Sequence, residues 1–221
     1  MPRKPRQNRA IATVDAIVEA GFISLARHGM AGTTTRHIAD IAGISVGSLY
    51  EYFANKEDIH AAMHRHFTAG IVGVIRPLIP TLVTLEIEPA IIALADALGQ
   101  FLTANDERYL KYGRSAIAAH QAMDFGTISA VLNDLLLQYV MQHPSLALLP
   151  DLAVMSHIFI QGGIFVVLKH LSDPNPPFTY AALARGLARM VAHYVAMEQQ
   201  RAADKARPDG GENHAPAHPA L

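Results

Sequence analysis

Apolar residues recur along this chain at spacings of three and four, and nowhere in a sustained alternation of two. Over residues 7–28, Ile11, Val14, Val18, Phe22 and Leu25 fall on one helical stripe, and Gly29 supplies a left-handed stop. A short second helix is predicted after Thr34, a good N-cap residue. It holds Ile38, Ile41 and Ala42 and ends at Gly43. Ser45 caps a third short helix over 46–53. Asn55 caps a fourth, with Asp58 completing a variant capping box, and this helix is expected to end near Ile75, before Pro77. Longer helices are predicted over 89–103, 107–120, 125–143, 151–171 and 178–200, with turn chemistry at 144–150 and 173–177. No Asn-Gly or Asp-Gly hairpin turn and no internal repeat occurs. The pattern reads as all-α.

Composition narrows the classes. With 221 residues, 51% of them hydrophobic, the chain can build a core in one or two domains and is not disordered throughout. The absence of cysteine excludes disulfides, thiolate metal sites and cysteine nucleophiles. The net charge of −1 conceals an asymmetry: Arg3, Lys4, Arg6 and Arg9 form a basic arm with no acid among them. That places a polyanion at one end only. From Arg201 onward the chain is polar and rich in Gly, Pro, Ala and His, and is expected to be disordered. The basic start lacks an apolar signal region. The uncharged run 152–168 is interrupted by Ser156, His157, Gln161, Gly162 and Gly163 and falls short of the ~20 apolar residues of a membrane span. It reads as a buried core helix of a soluble, cytoplasmic protein with no membrane partner.

The informative stretch is 34–53, TTRHIADIAGISVGSLYEYF. Gly43 makes a sharp turn between two short helices, Ile44 plugs the space between them, and Ser45 starts the second. This is helix-turn-helix logic, in which the second helix enters a major groove. Leu49 and Phe53 would face inward, leaving Val46, Gly47, Ser48 and Tyr50 outward. Small Gly47 and Ser48 let backbone approach base edges, Ser48 can exchange hydrogen bonds, and Val46 can touch a thymine methyl. Hydroxyls of Thr34, Thr35, Tyr50 and Tyr52 suit phosphate oxygens, and Arg36 and Lys56 add charge. The basic arm could track the backbone or enter a minor groove.

These blocks resemble a known family. IVEAGFISLARHG over 17–29, TTTRHIADIAGISVGSLYEYF over 33–53 and NKED over 55–58 are similar, in order and spacing, to the DNA-binding domain of TetR-type transcriptional regulators. The resemblance covers about 9–66. It implies that Ser45, Val46, Gly47 and Ser48 read bases while Thr35, Tyr50, Tyr52 and Lys56 hold phosphates. It also implies a variable C-terminal domain that binds an effector and dimerises through the last two long helices. Two departures are Gly21, where the family often has alanine, and Glu51, an acid on the reading helix. The expected organisation is a basic arm at 1–8, a helix-turn-helix domain at 9–55, an effector and dimerisation domain at 56–200, and a tail at 201–221.

The remaining residues give weaker signals. Gly162 and Gly163 lie mid-helix, and the last helix carries two small-residue rows, Ala182 with Gly186 and Ala184 with Ala188 and Ala192. Either row could meet a partner copy or a core neighbour. Gly162, Gly163, Ala182, Gly186, Ala188 and Ala192 are the candidate dimer residues. Phe67, Phe101, Tyr112, His120, Met123, Phe159 and Gln161 are candidate lining for a small apolar effector, each being equally at home in an ordinary core. His60 and His64 have metal spacing but no third ligand, so no metal is expected. Gly43-Ile-Ser-Val-Gly47 has the letters of a nucleophile elbow without the strand that elbow requires. No cofactor and no enzymatic activity are expected. The sequence points to a homodimeric regulator, a repressor released from a palindromic DNA operator by a small apolar effector. The alternative is a helical small-molecule carrier or protein-interaction scaffold that does not bind DNA.

Overall fold

The computed structural model describes residues 4–118 and 125–206, and every regular element among them is helical. A head is formed by α1 (Lys4–Gly32), α2 (Thr35–Ala42) and α3 (Val46–Tyr50). The helix α4 (Lys56–Leu82) leads from it into a body of α5 (Ile87–Ala118), α6 (Gly126–Gln142), α7 (Leu152–Ser172) and α8 (Tyr180–Ala206), with a 3₁₀ turn at Pro144–Leu148. In the body, α5 packs on α1, α4, α7 and α8, and α6 packs on α4 and α7.

Local chemistry sets the head. Thr34 Oγ1 accepts from the His37 N–H at 3.2 Å, Ser45 Oγ from the Ser48 N–H at 2.9 Å, and Asn55 Oδ1 from the Asp58 N–H at 2.8 Å. All three predicted caps are therefore made. Gly43 takes φ 70° and ψ 30°, and the Ile44 N–H reaches back to the Ala39 carbonyl, which closes α2 as a left-handed glycine stop should. Ile38 and Leu49 are fully buried beneath this turn.

One apolar core runs unbroken from head to body. Ile17, Phe22, Leu49, Phe67, Ile75 and Val131 all belong to it. A smaller cluster at the far end gathers Leu82, Ala90, Tyr139, Leu146 and Leu149. Gly21 has a packing reason: a Cβ there would lie 2.6 Å from the Met63 sulfur, so glycine lets α4 sit directly on α1.

Four expectations shift. Ile11 is exposed, because burial along α1 begins only near Val14 and Ile17. The helix α4 does not stop at Ile75 but continues through Pro77 and Pro80 to Leu82. An interior proline costs ~3 kcal/mol, and burial of Ile79 and Leu82 in the two clusters offsets that cost. The break expected after Thr103 is present as a kink within α5, where Asn105, Asp106 and Glu107 take φ of 52°, 58° and 56°. Finally, α8 runs on to Ala206, past Gln200, while 207–221 of the expected tail lie outside the described residues.

Candidate functional site

The outward side of the head carries a compact polar face. Leu49 and Phe53 turn inward, as expected. Thr34, Arg36, Ser45, Gly47, Tyr50 and Tyr52 are exposed, and Thr35, Val46, Ser48 and Lys56 are half-buried. Thr35 Oγ1 and the Tyr50 hydroxyl lie 3.4 Å apart, so the start of α2 and the end of α3 share one hydroxyl pair. Ser45 Oγ donates to Ser48 Oγ at 3.0 Å while serving as the α3 cap. Lys56 Nζ donates to the Met30 carbonyl at 3.3 Å, which holds this cation beside the end of α1.

Gly47 is informative by what surrounds it. A Cβ there would meet only Ser45 Oγ, at an ordinary 3.7 Å, and its φ is not left-handed. Nothing inside the chain requires glycine at this position, although glycine costs ~1 kcal/mol relative to alanine in a helix. Its bare backbone faces outward. Glu51 is also exposed, at the end of α3. The expected basic arm is different from an extended strand: α1 begins at Lys4, so Lys4, Arg6 and Arg9 stand on its first turns, and Arg3 lies outside the described residues.

The body holds an apolar cavity of about 330 Å³, partly open to solvent, among α4 to α8. Of the candidate lining residues, Phe67 and Phe159 face it. Phe101, Tyr112 and Gln161 do not. Phe101 fills the gap left by Gly70 and stacks on Tyr109 at 4.7 Å, Tyr112 packs on Phe22 and Phe67, and Gln161 Nε2 donates to Ser129 Oγ at 3.0 Å. His120 and Met123 lie outside the described residues. Sequence reading missed Ile71, Ile75, Leu94, Leu132, Tyr139 and Tyr180. Their only signal was that the middle helices are apolar on several sides. Burial, and then Glu86, push the Tyr139 hydroxyl up to about 12. Burial, and then Asp96, do the same to Tyr180. Both donate to backbone, Tyr139 to the Leu85 carbonyl at 2.8 Å and Tyr180 to the Ala95 carbonyl at 2.9 Å.

The cavity corrects the reading of α7 as a core helix: none of its residues is fully buried. One side lines the cavity through Met155, Phe159 and Ile164, and the other leaves Val154, Ile158 and Phe165 exposed. By length and composition alone, α7 and the 87–116 stretch of α5 would be long and apolar enough to cross a membrane. The dimer candidates divide accordingly. Gly162 and Gly186 lie on open surface beside exposed Ile158 and Met190. Gly163 instead lines the cavity, and Ala188 is fully buried within the subunit. Ala182 and Ala192 are half-buried.

Between head and cavity sits an aromatic cluster that sequence reading did not find. Phe22 of α1 meets Tyr109 and Tyr112 of α5 edge-on, both at 5.2 Å. Phe67 touches Tyr112 at 5.2 Å while also facing the cavity. His66 and the Tyr109 hydroxyl hydrogen-bond at 3.0 Å, and Arg108 pairs with Glu19, tying α5 to α1. Such contacts join helices far apart in sequence, which periodicity cannot show.

Other candidates fall away or stay small. Among the described residues no three His, Asp or Glu side chains gather as a metal site. His60 is half-buried with Nε2 unpaired, and burial is the main cause of its lowered pKa. The segment from Gly43 to Gly47 has helix on both sides, so the serine lacks the strand of a nucleophile elbow.

Comparison with known proteins agrees with this geometry. Residues 17–67 match the family described as bacterial regulatory proteins, tetR family. Over 80 residues the chain is 32% identical to the HTH-type transcriptional repressor KstR2 of Mycolicibacterium smegmatis, which covers 36% of this chain and 37% of that protein. Among solved structures, one described as a TetR-family transcriptional regulator from Mesorhizobium loti superposes with a TM-score of 0.66 at 20% identity, over 86% of this chain and 98% of that one. The multidrug binding protein EbrR, complexed with malachite green, gives a TM-score of 0.57 at 19% identity, over 82% and 96%. Residues 17–67 thus carry the DNA-binding-domain signature of the tetR family of bacterial regulatory proteins, and the fold of the described residues is similar to that of a TetR-family regulator.

Proposed function

We propose that this protein is a dimeric DNA-binding transcriptional regulator, a repressor that leaves a palindromic operator when a small apolar molecule fills the body cavity. The observation that carries the reading is the outward face of α3, where Gly47, Ser48 and Tyr50 stand over a rigidly capped turn. Ser45 to Ser48 read base edges, while Thr34, Thr35, Arg36, Tyr50, Tyr52 and Lys56 hold phosphates. Lys56 would exchange the Met30 carbonyl for a phosphate oxygen, a stronger charge-assisted contact.

Dimerisation would use the open faces of α7 and α8. Val154, Ile158, Phe165, Met190 and Met197 leave an apolar surface there that water would not favour. Two-fold pairing would set two α3 helices about one turn of DNA apart, ~34–36 Å. The effector would act by population shift: a molecule bound better in one conformation moves Phe67, and Phe67 bears on Tyr112 and through it on Phe22 of α1. That EbrR, of similar fold, is a multidrug binding protein complexed with malachite green supports an effector role for a small molecule here.

A carrier would use the same cavity but has no use for the α3 face. The two are separated by a gel-shift titration with the DNA upstream of the protein's own gene against unrelated DNA of equal length. Preferential retardation of the upstream fragment is expected, and equal, weak binding to both would remove the regulator reading.

A further inference from the structure

Among the described residues the cavity offers no place for an ion. None of its described lining residues is Asp, Glu, Lys, Arg or His, and the polar side chains among them are Ser156, Tyr139, Tyr180 and Tyr194. Three of the four hydroxyl protons are already committed to backbone: Ser156 Oγ donates to the Ala153 carbonyl at 3.0 Å, Tyr139 to Leu85 and Tyr180 to Ala95. An anionic headgroup needs several donors, and these three hydroxyls can offer none without breaking a bond. The fourth, Tyr194, stands under the influence of two acids, Glu198 and Asp151, with Arg201 paired to Glu198 at 2.5 Å. One hydroxyl is enough for a single neutral carbonyl or ether oxygen.

We infer that the effector is an uncharged, mainly hydrocarbon molecule with at most one hydrogen-bond acceptor, and that ionised carboxylates and coenzyme A thioesters are rejected. This deepens the effector reading given above and rests on it. An unpaired carboxylate in such surroundings is strongly disfavoured and enters only by taking up a proton. At pH 7.5 only about one part in a thousand of an ordinary carboxylic acid, pKa ~4.3, is protonated. A volume of about 330 Å³ lies at the small end of ligand pockets, enough for one medium-length chain or a few fused rings.

The test is calorimetric titration of the full chain with methyl dodecanoate, dodecanoate and dodecanoyl-coenzyme A at pH 7.5, repeated for the first two at pH 5.5. The ester is expected to bind at least tenfold more tightly than either anion, with the acid gaining on it at the lower pH. Gly163→Leu locates the site, because Gly163 lines the cavity with nothing within 4 Å of its Cβ position. Replacing a mid-helix glycine favours the helix, so the variant should stay folded by thermal melt while losing at least tenfold in ester affinity. Equal or tighter binding of an anion at pH 7.5 would overturn this inference and leave an effector cavity standing. Binding of the ester that Gly163→Leu leaves unchanged, or no binding of any probe, would overturn the cavity reading with it.

Discussion

The head and α7 make opposite use of their residues. In the head, the short helices α2 and α3 are fixed by local bonds: each starts on a side-chain cap, Gly43 closes α2, and Ile38 and Leu49 reach zero exposure. The helix α7 is longer than α2 or α3 and far more apolar than α2, yet it starts at Asp151 without a side-chain cap and buries no residue fully. Its apolar sides face a cavity and open surface instead of a packed core. Apolarity by itself therefore did not produce burial here. The head uses its hydrophobic residues for a fixed local geometry, as the proposed reading surface would need, and α7 leaves its own unsatisfied, as the proposed site for partners and ligands would need.

Substitutions in the two regions should separate these roles. The largest effect is expected at Leu49. Leu49→Ala removes a fully buried side chain under α3 and should lower the unfolding free energy by ~2–5 kcal/mol, read by urea denaturation, with operator binding lost as well; a loss below 1 kcal/mol would mean that the head is less tightly packed than described. Phe165 is 68% exposed, so Phe165→Glu should leave the helical signal intact. It should nevertheless shift sedimentation from dimer to monomer, with dimer affinity falling about a hundredfold, since an unpaired charge at an apolar interface is strongly disfavoured. An unchanged dimer would place the interface elsewhere. Ser45→Ala removes one cap and should cost ~1 kcal/mol, measured by the same urea titration, and a neutral result would weaken the view that caps fix α3.

The smallest effect concerns pH. Burial first, and Lys56 second, lower the His60 pKa from the usual 6.5, with Glu57 opposing. The fold favours the neutral ring, so the unfolded chain takes up the proton first as pH falls. Stability should decrease as pH drops through and below 6.5. His60→Asn should flatten part of that dependence, compared as melting temperatures at pH 7.5 and 5.5, and identical slopes in the two proteins would contradict it.

What could be read from sequence divides along the same line. The caps at Thr34, Ser45 and Asn55, the stop at Gly43 and the inward pair Leu49 and Phe53 are decided within a few residues, so the fold class and the head were legible. The course of α4 through Pro77 and Pro80 was not, because tertiary burial of Ile79 and Leu82 overrides a local breaker. The cavity lining was mostly missed for a related reason. It is assembled from five helices, and a residue such as Tyr180 faces it only because Gly99 leaves room for its ring, a Cβ there falling 2.7 Å from it. The small-residue rows of α8 could not be ranked from sequence, since burial of Ala188 and openness at Gly186 depend on where α5 lies against α8.

The reading role of α3 is tested most directly by selecting binding sites from random duplex DNA with the intact protein and with Ser48→Ala. The intact protein should enrich a palindrome with half-sites about one helical turn apart, and Ser48→Ala should change the preferred base at one matching position in each half-site. Enrichment of no palindrome, or of the same sequence by both proteins, would contradict base readout through this helix.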